Sequence, residues 1–440
     1  MPFDRALASP ARPFFAREAD NEPEEIGMTR HKRGFGRRSG LALALSLPLL
    51  FPAWAGQAET VRVTVAEYSN ATGPYFEKMA QEFHQANPSI DVKIEVVNWT
   101  SLLQKLQTDI SGGTNSDLSI IGTRWLLDFV KDGVAEPLDS YMTPEFRDRF
   151  VPVFLQPGTI DGKVYGLPIA ASARAMFYNK DMLTKAGFPD GPATRDDVVA
   201  AAKKIKADGA YGFGLQGKDL ETDVYWYYAL WSYGGDLIGK DGKTAFAGPA
   251  GVKALDLYKS MIDDGLTEPG VTSYNREGLQ NLFKQGRLGM VITAPFLVGQ
   301  IAKEAPNLKY GIVPVPKGTT QSTYAVTDSI VMFKNSKVKQ AAFKFLDFIF
   351  SKEPRVEFNK NEGFLPTTKA VADDPYFADN PQLKIFVNLM PKAHFAPVIT
   401  GWEDVAKDVI DALQSVYLGN AQPGPALQQA SEKANQALGR

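Results

Sequence analysis

Three short strings in this chain combine aromatic faces with small hydrogen-bonding side chains: Tyr68-Ser69-Asn70, Asn98-Trp99-Thr100 and Thr123-Arg124-Trp125. A molecule with a face of C–H bonds and a rim of hydroxyls, a sugar or polyol, is recognised by such a set. The rings stack on the carbon face, and Asn, Ser, Thr and Arg meet the rim. Any one of these aromatics is equally well explained by core packing. All three strings, however, sit just past a predicted strand, where open α/β sheets gather their ligands. Arg124 adds a planar fork that suits a carboxylate or phosphate, and neutral hydroxyls satisfy it too. Asp328, in the string TDSI, is either a loop ligand or a turn residue before the strand that follows.

Other chemistries find little support. With no cysteine, the chain has no thiol nucleophile, disulfide, thiolate zinc site or iron–sulfur cluster, and no lipid-attachment cysteine. The histidines are His31, His84 and His394, too few and too scattered for H-E-x-x-H, so no metal, cofactor or catalytic residue is expected. Gly212, Gly214 and Gly217 fit G-x-G-x-x-G but begin inside a predicted strand, and Lys218-Asp219-Leu220-Glu221 is a poor helix start for a pyrophosphate. GGDLIGK (234–240) is followed by Asp241, a negative charge where a P-loop needs Ser or Thr. Lys plus Arg number 48 against 50 Asp plus Glu, a net charge of −2 that argues against nucleic acid as a partner.

The elements that must position these strings read clearly. VRVTVAEY (61–68) alternates apolar and polar residues, and the next segment carries Phe76, Met79, Ala80 and Phe83 at helical spacing. DVKIEVVNW (91–99) and a helix over 101–113, then DLSIIGT (117–123) and a helix over 124–131, repeat the pattern. Three βα units in succession imply a parallel sheet covered by helices, an α/β class. At 440 residues the chain exceeds the roughly 250 to 300 at which a single core stops growing, so two lobes are expected.

Residues 30–38, RHKRGFGRR, run into the apolar segment 41–55, a signal-peptide pattern with small-residue cleavage sites ending at Ala55 and Ala58. The apolar run falls short of the roughly 20 residues a spanning helix needs. Met28 is the expected start, with export by the general or, through Arg37 and Arg38, the twin-arginine route. The mature chain is therefore expected in the periplasm, free of a lipid anchor.

Nearly the whole mature chain also resembles the periplasmic sugar-binding proteins of ABC importers, maltose-binding type, extracellular solute-binding family 1. The resemblance rests on the leader, the three βα units, FYNKDML followed by AGF (177–188), the strand YGFGL (211–215) and the aromatic helix ending at Gly234-Gly235. It continues through LFKQGRLGMVITAPF (282–296) and GFLPTTKAV (363–371). It implies a type II periplasmic binding protein, two discontinuous α/β lobes with a hinge and an interlobe ligand cleft. The first lobe would hold 59–172 with 295–334 and the second 173–294 with 335–440, after an extension and signal peptide over 1–58. The chain would cross near Ala171–Phe177, Val291–Ala294 and Lys334–Val338.

The resemblance places first-lobe contacts on Tyr68, Ser69, Asn70, Trp99, Thr123, Arg124 and Trp125. From the second lobe and hinge it adds Tyr178, Trp226, Tyr227, Asp236, Ala294, Phe296 and Trp402. Two departures weigh against maltose itself: Thr123-Arg124-Trp125 replaces an acidic group, and Phe296 stands where tryptophan is common. The implied function is capture of a sugar or polyol by a monomer and delivery to membrane permease subunits. A sugar acid or sugar phosphate is the alternative ligand. A secreted carbohydrate-active enzyme or a ligand-presenting sensor is the alternative role.

Overall fold

The computed structural model describes residues 58–440. Met28, Arg37, Arg38 and the apolar run to Ala55 lie outside the described residues. No helix among the described residues is long and apolar enough to cross a membrane.

The first sheet is built on β1 (Glu59–Glu67), which pairs in parallel along its full length with β2 (Ile90–Asn98) and on its other side with β3 (Leu118–Gly122). Alternation explains β1: Val61, Val63 and Val65 are completely buried between helix layers. Helix α1 (Thr72–Ala86) lays Phe76, Met79, Ala80 and Phe83 onto this sheet, the stripe its spacing predicts. Helix α2 (Trp99–Gly112) is capped by Asn98, whose side chain accepts the Thr100 N–H at 3.1 Å, and it ends at Gly113 with φ +66°, a left-handed turn suited to glycine. After β3 comes a 3₁₀ turn, Thr123–Trp125, and then α3 (Leu126–Lys131).

Two antiparallel strands complete this sheet. β4 (Gly166–Ala173) pairs with β9 (Thr323–Met332), and β9 also pairs with β3; the short β10 (Ala393–His394) adds to the start of β9. Asp328 therefore lies within a strand and not on a loop or turn. It stands at an irregularity of register between Asp328 and Ser329, a bulge of the kind that re-aims a side chain.

The second sheet has the order β8 (Tyr310–Pro314), β5 (Ala175–Asn179), β7 (Leu288–Thr293), β6 (Tyr211–Gly214). Only β6 and β7 run parallel. The helices on this side include α4 (Thr222–Ser232), α5 (Arg276–Lys284) and α6 (Phe296–Glu304). The first core is completed by α7 (Lys339–Ile349) and α8 (Lys352–Glu362), the second by α9 (Trp402–Tyr417).

The chain passes between the sheets at Arg174, between Pro314 and Thr323, and after Gly363. The expected partition is thus corrected in two places. Residues 295–314 belong with the second sheet, because β8 pairs from Tyr310↔Asn179 to Pro314↔Ala175 and Leu297 and Ile301 enter that core. Residues 335–362 belong with the first, because Phe345, Leu346, Ile349 and Phe358 pack under β1 and β3. Neither Val291–Ala294 nor Lys334–Val338 is a crossing.

Glu268 is sealed in the second core. One carboxylate oxygen accepts the Leu215 N–H at 3.2 Å, the other has no partner among the described residues, and burial pushes its pKa well above the ordinary carboxyl range. A raised folded pKa means a contribution complete below the unfolded pKa, about 4.5, and lost as pH rises through the folded one. Glu268→Gln keeps the acceptor without the charge. The expected result is a melting temperature that falls less steeply above pH 5 than wild type, read by calorimetry across pH 4 to 9; an unchanged slope would contradict it.

Candidate functional site

Between the two sheets lies a cleft. Its two main chambers, about 440 and 460 Å³, meet at Tyr68, Ser69, Asn70, Trp99, Glu221 and Arg276. A third space of about 60 Å³ lies past Trp99, against Trp125, Tyr324 and Phe395. Trp99 and Glu221 line all three. The larger chambers fall within the few hundred to a thousand Å³ typical of small-molecule sites.

The first wall grows from the ends of β1, β2 and β3. Beyond β1, Thr72 accepts the N–H groups of Tyr68 and Ser69 at 3.0 and 3.1 Å and donates to Glu362 at 2.6 Å, so the Tyr68-Ser69-Asn70 loop is fixed to both α1 and α8. Trp99 opens α2 and stacks on Trp125, ring centres 5.3 Å apart and 22° from parallel; Tyr68 leans on Trp99 at 6.2 Å. The Tyr68 hydroxyl donates to Asp328 Oδ2 at 2.9 Å. Burial pushes Asp328 up to about 7 despite that bond, and its Oδ1 has no partner among the described residues.

The opposite wall is a charge cluster. Arg174, at the passage between sheets, donates to Glu221 at 3.2 Å, and Arg276, the first residue of α5, donates to the same carboxylate at 3.1 Å. Burial alone would raise the Glu221 pKa, but Arg276 and Arg174 outweigh it and hold the group below its ordinary value. The Arg276 guanidinium also lies 5.1 Å above the Phe296 ring. Glu221 adopts φ +74°, and Asp219 two residues earlier adopts +64°. Non-glycine residues held there carry roughly 1–3 kcal/mol of strain, a cost that concentrates at binding and switch segments.

The model of bacterial extracellular solute-binding proteins matches residues 66–356. The chain belongs to this family. A binding protein of Brucella abortus is 57% identical over 91% of this chain and 98% of its own length. The galactooligosaccharide-binding protein of Bacillus subtilis is 26% identical over 78% and 82%. Among solved structures, an ABC transporter solute-binding protein from Agrobacterium radiobacter K84 in complex with ribitol is 27% identical, with a TM-score of 0.77, over 86% of this chain and 98% of that one. The fold is the type II periplasmic binding protein fold, and the protein is the solute-binding component of an ABC transporter.

In this solute-binding protein the cleft brings together nine of the expected residues: Tyr68, Ser69, Asn70, Trp99, Thr123, Arg124, Trp125, Phe296 and Asp328. It does not bring in the other six. Trp226 is wholly buried and donates its indole N–H to the Gly251 carbonyl at 3.1 Å. Tyr227 and Trp402 are equally buried, 6.4 Å apart in the second core. Tyr178 packs against Gly191 and Gly311 on the far side of β5, and Ala294 is sealed after β7. Asp236 is exposed and caps its own turn through the Leu237 N–H at 2.7 Å.

Residues the sequence reading missed are Arg174, Glu221, Arg276, Gln280, Glu362, Phe364 and Glu403. Glu221 stands immediately before α4 and not at the end of β6, so the strand-end rule applied to the second sheet does not reach it.

Proposed function

We propose that the protein captures a neutral sugar or polyol in this cleft and delivers it, unchanged, from the periplasm to permease subunits of its transporter. The moving bodies are the first sheet with α1, α2, α3, α7 and α8, and the second sheet with α4, α5, α6 and α9. Contacts made better when they approach drive closure. One observation carries the choice of ligand: the three arginines of the cleft are already matched by carboxylates, while Trp99 and Phe296 present ring surface. Arg174 and Arg276 share Glu221, and Arg124 is forked on Glu403 with Asp223 behind it. An anionic sugar would have to displace these acids, whereas hydroxyls donate to the carboxylates and accept from the guanidiniums without breaking a pair. The ligands of the Bacillus and Agrobacterium relatives, a galactooligosaccharide and ribitol, are of this uncharged class. We take the protein to act as a monomer and without turnover.

The test is thermal unfolding against mono-, di- and oligosaccharides, alditols, sugar acids and glycerol phosphates, with the bound compound recovered and analysed. A solute at a thousand times its Kd adds about 4.1 kcal/mol. At roughly 2 to 4 °C per kcal/mol the melting temperature rises on the order of 10 °C. A selective rise with a neutral compound, recovered intact, is expected. A rise with anions alone would overturn the neutral reading, and chemical conversion of the bound compound would overturn the binding reading.

A further inference from the structure

Arg124 offers the sequence a ready anion contact, but the structure uses it otherwise. It sits on the 3₁₀ turn after β3, in the first body. Its Nε and Nη2 form a two-pronged contact with Glu403, the latter at 2.7 Å, and Nη1 reaches Asp223 at 3.4 Å; both acids stand in the first turn of a helix of the second body, α9 and α4. A second tie lies alongside: the Gly401 N–H donates to Asp128 of α3 at 3.1 Å. All of these contacts cross between the bodies.

Beside this pair is the small chamber. Trp99, Trp125, Tyr324 and Phe395 give it four aromatic walls, a slot suited to a ring, yet it holds about 60 Å³ and Arg124 and Glu403 both face it. That volume accommodates about two waters, at roughly 30 Å³ each. Trp125 Nε1 and Asp328 Oδ1, both from residues lining the chamber, have no partner among the described residues. The chamber thus has the walls and polar groups of a binding subsite without the room.

We propose that Arg124 is a specificity-determining tie and not a solute contact: with Glu403 and Asp223 it joins the two bodies and shuts the aromatic chamber past Trp99. The solute is thereby confined to the two larger chambers. This boundary rests on the cleft reading above. The tie itself is measured without any solute, so failure of the sugar panel leaves the following test intact.

The purified ligand-free protein, Arg124→Ala, Glu403→Gln and the double variant R124A/E403Q are compared by small-angle X-ray scattering and by acrylamide quenching of tryptophan emission. Trp226, Trp231 and Trp402 are buried in the second core, so quenching reports on the partly exposed Trp99 and on Trp125, itself buried, as the chamber it lines opens. Each single variant is expected to shift to a larger radius of gyration and a steeper quenching slope, and the double variant to add nothing beyond Arg124→Ala, because removing Arg124 already removes the Glu403 contact. Lys407→Ala removes a solvent-exposed ion pair within α9 and is expected to match wild type. Glu403→Gln keeps the side-chain shape, so it carries the test if Arg124→Ala loses cooperative unfolding. Variants indistinguishable from wild type in both readouts, or single effects that simply add, would overturn the tie.

Discussion

Replacing Trp99 with alanine is expected to weaken solute binding about a hundredfold, about 2.7 kcal/mol, while the ligand-free protein keeps its melting temperature to within a few degrees. The ring lines all three spaces of the cleft and is only partly buried. Its role in the fold is small. The N-terminus of α2 is fixed by the Asn98 cap, and Leu102 and Leu106 anchor the helix to the sheet. What the ligand-free protein loses is the stack on Trp125, worth roughly 0.5–1.5 kcal/mol. What the complex loses is the central stacking plane, a side chain of the type that dominates binding energy when truncated. Titration calorimetry with the best compound of the panel, beside melting of the ligand-free variant, checks both halves. Binding within threefold of wild type would place the solute away from Trp99. Trp99→Phe, which keeps a smaller plane, is expected to fall between.

The first wall was legible because each of its parts is signalled locally. Alternation marks β1, β2 and β3, and the strand-end rule then points to the next two or three residues without any knowledge of pairing. The second wall was not legible in that way. Glu221 is brought to Arg174 and Arg276 across sequence separations of 47 and 55 residues, and the positive φ that aims it is not a conformation its residue type predicts. The partition of the lobes failed for a related reason. Amphipathic spacing shows that α7 buries Phe345, Leu346 and Ile349, but it does not say under which sheet. Likewise Arg124 was identified as a cleft residue while its partner Glu403 lies 279 positions away, so its charge looked available when it is already matched.

Helix α4 shows the limit most sharply, and the variant Trp226→Ala tests it. Every residue of α4 is buried, so the helix has no polar face by which a sequence could tell inward from cleft-facing rings. The structure resolves the matter. Trp226 seats its indole against Gly251, where an added Cβ would stand 3.1 Å from the ring, and meets Phe246 edge-on at 6.0 Å. Truncation leaves a cavity, costing roughly 3–5 kcal/mol, and strips the Gly251 carbonyl of its donor. The melting temperature is therefore expected to fall on the order of 10 °C or more. The molecules that remain folded are expected to bind within about threefold of wild type, because the ring lines none of the three chambers; saturating solute then raises the variant's melting point as it does the wild type's. Trp99 and Trp226 thus exchange effects: one variant loses solute and keeps stability, the other loses stability and keeps solute. A Trp226→Ala protein with a normal melting temperature and no binding would put that ring in the cleft and move the second wall from α5 to α4.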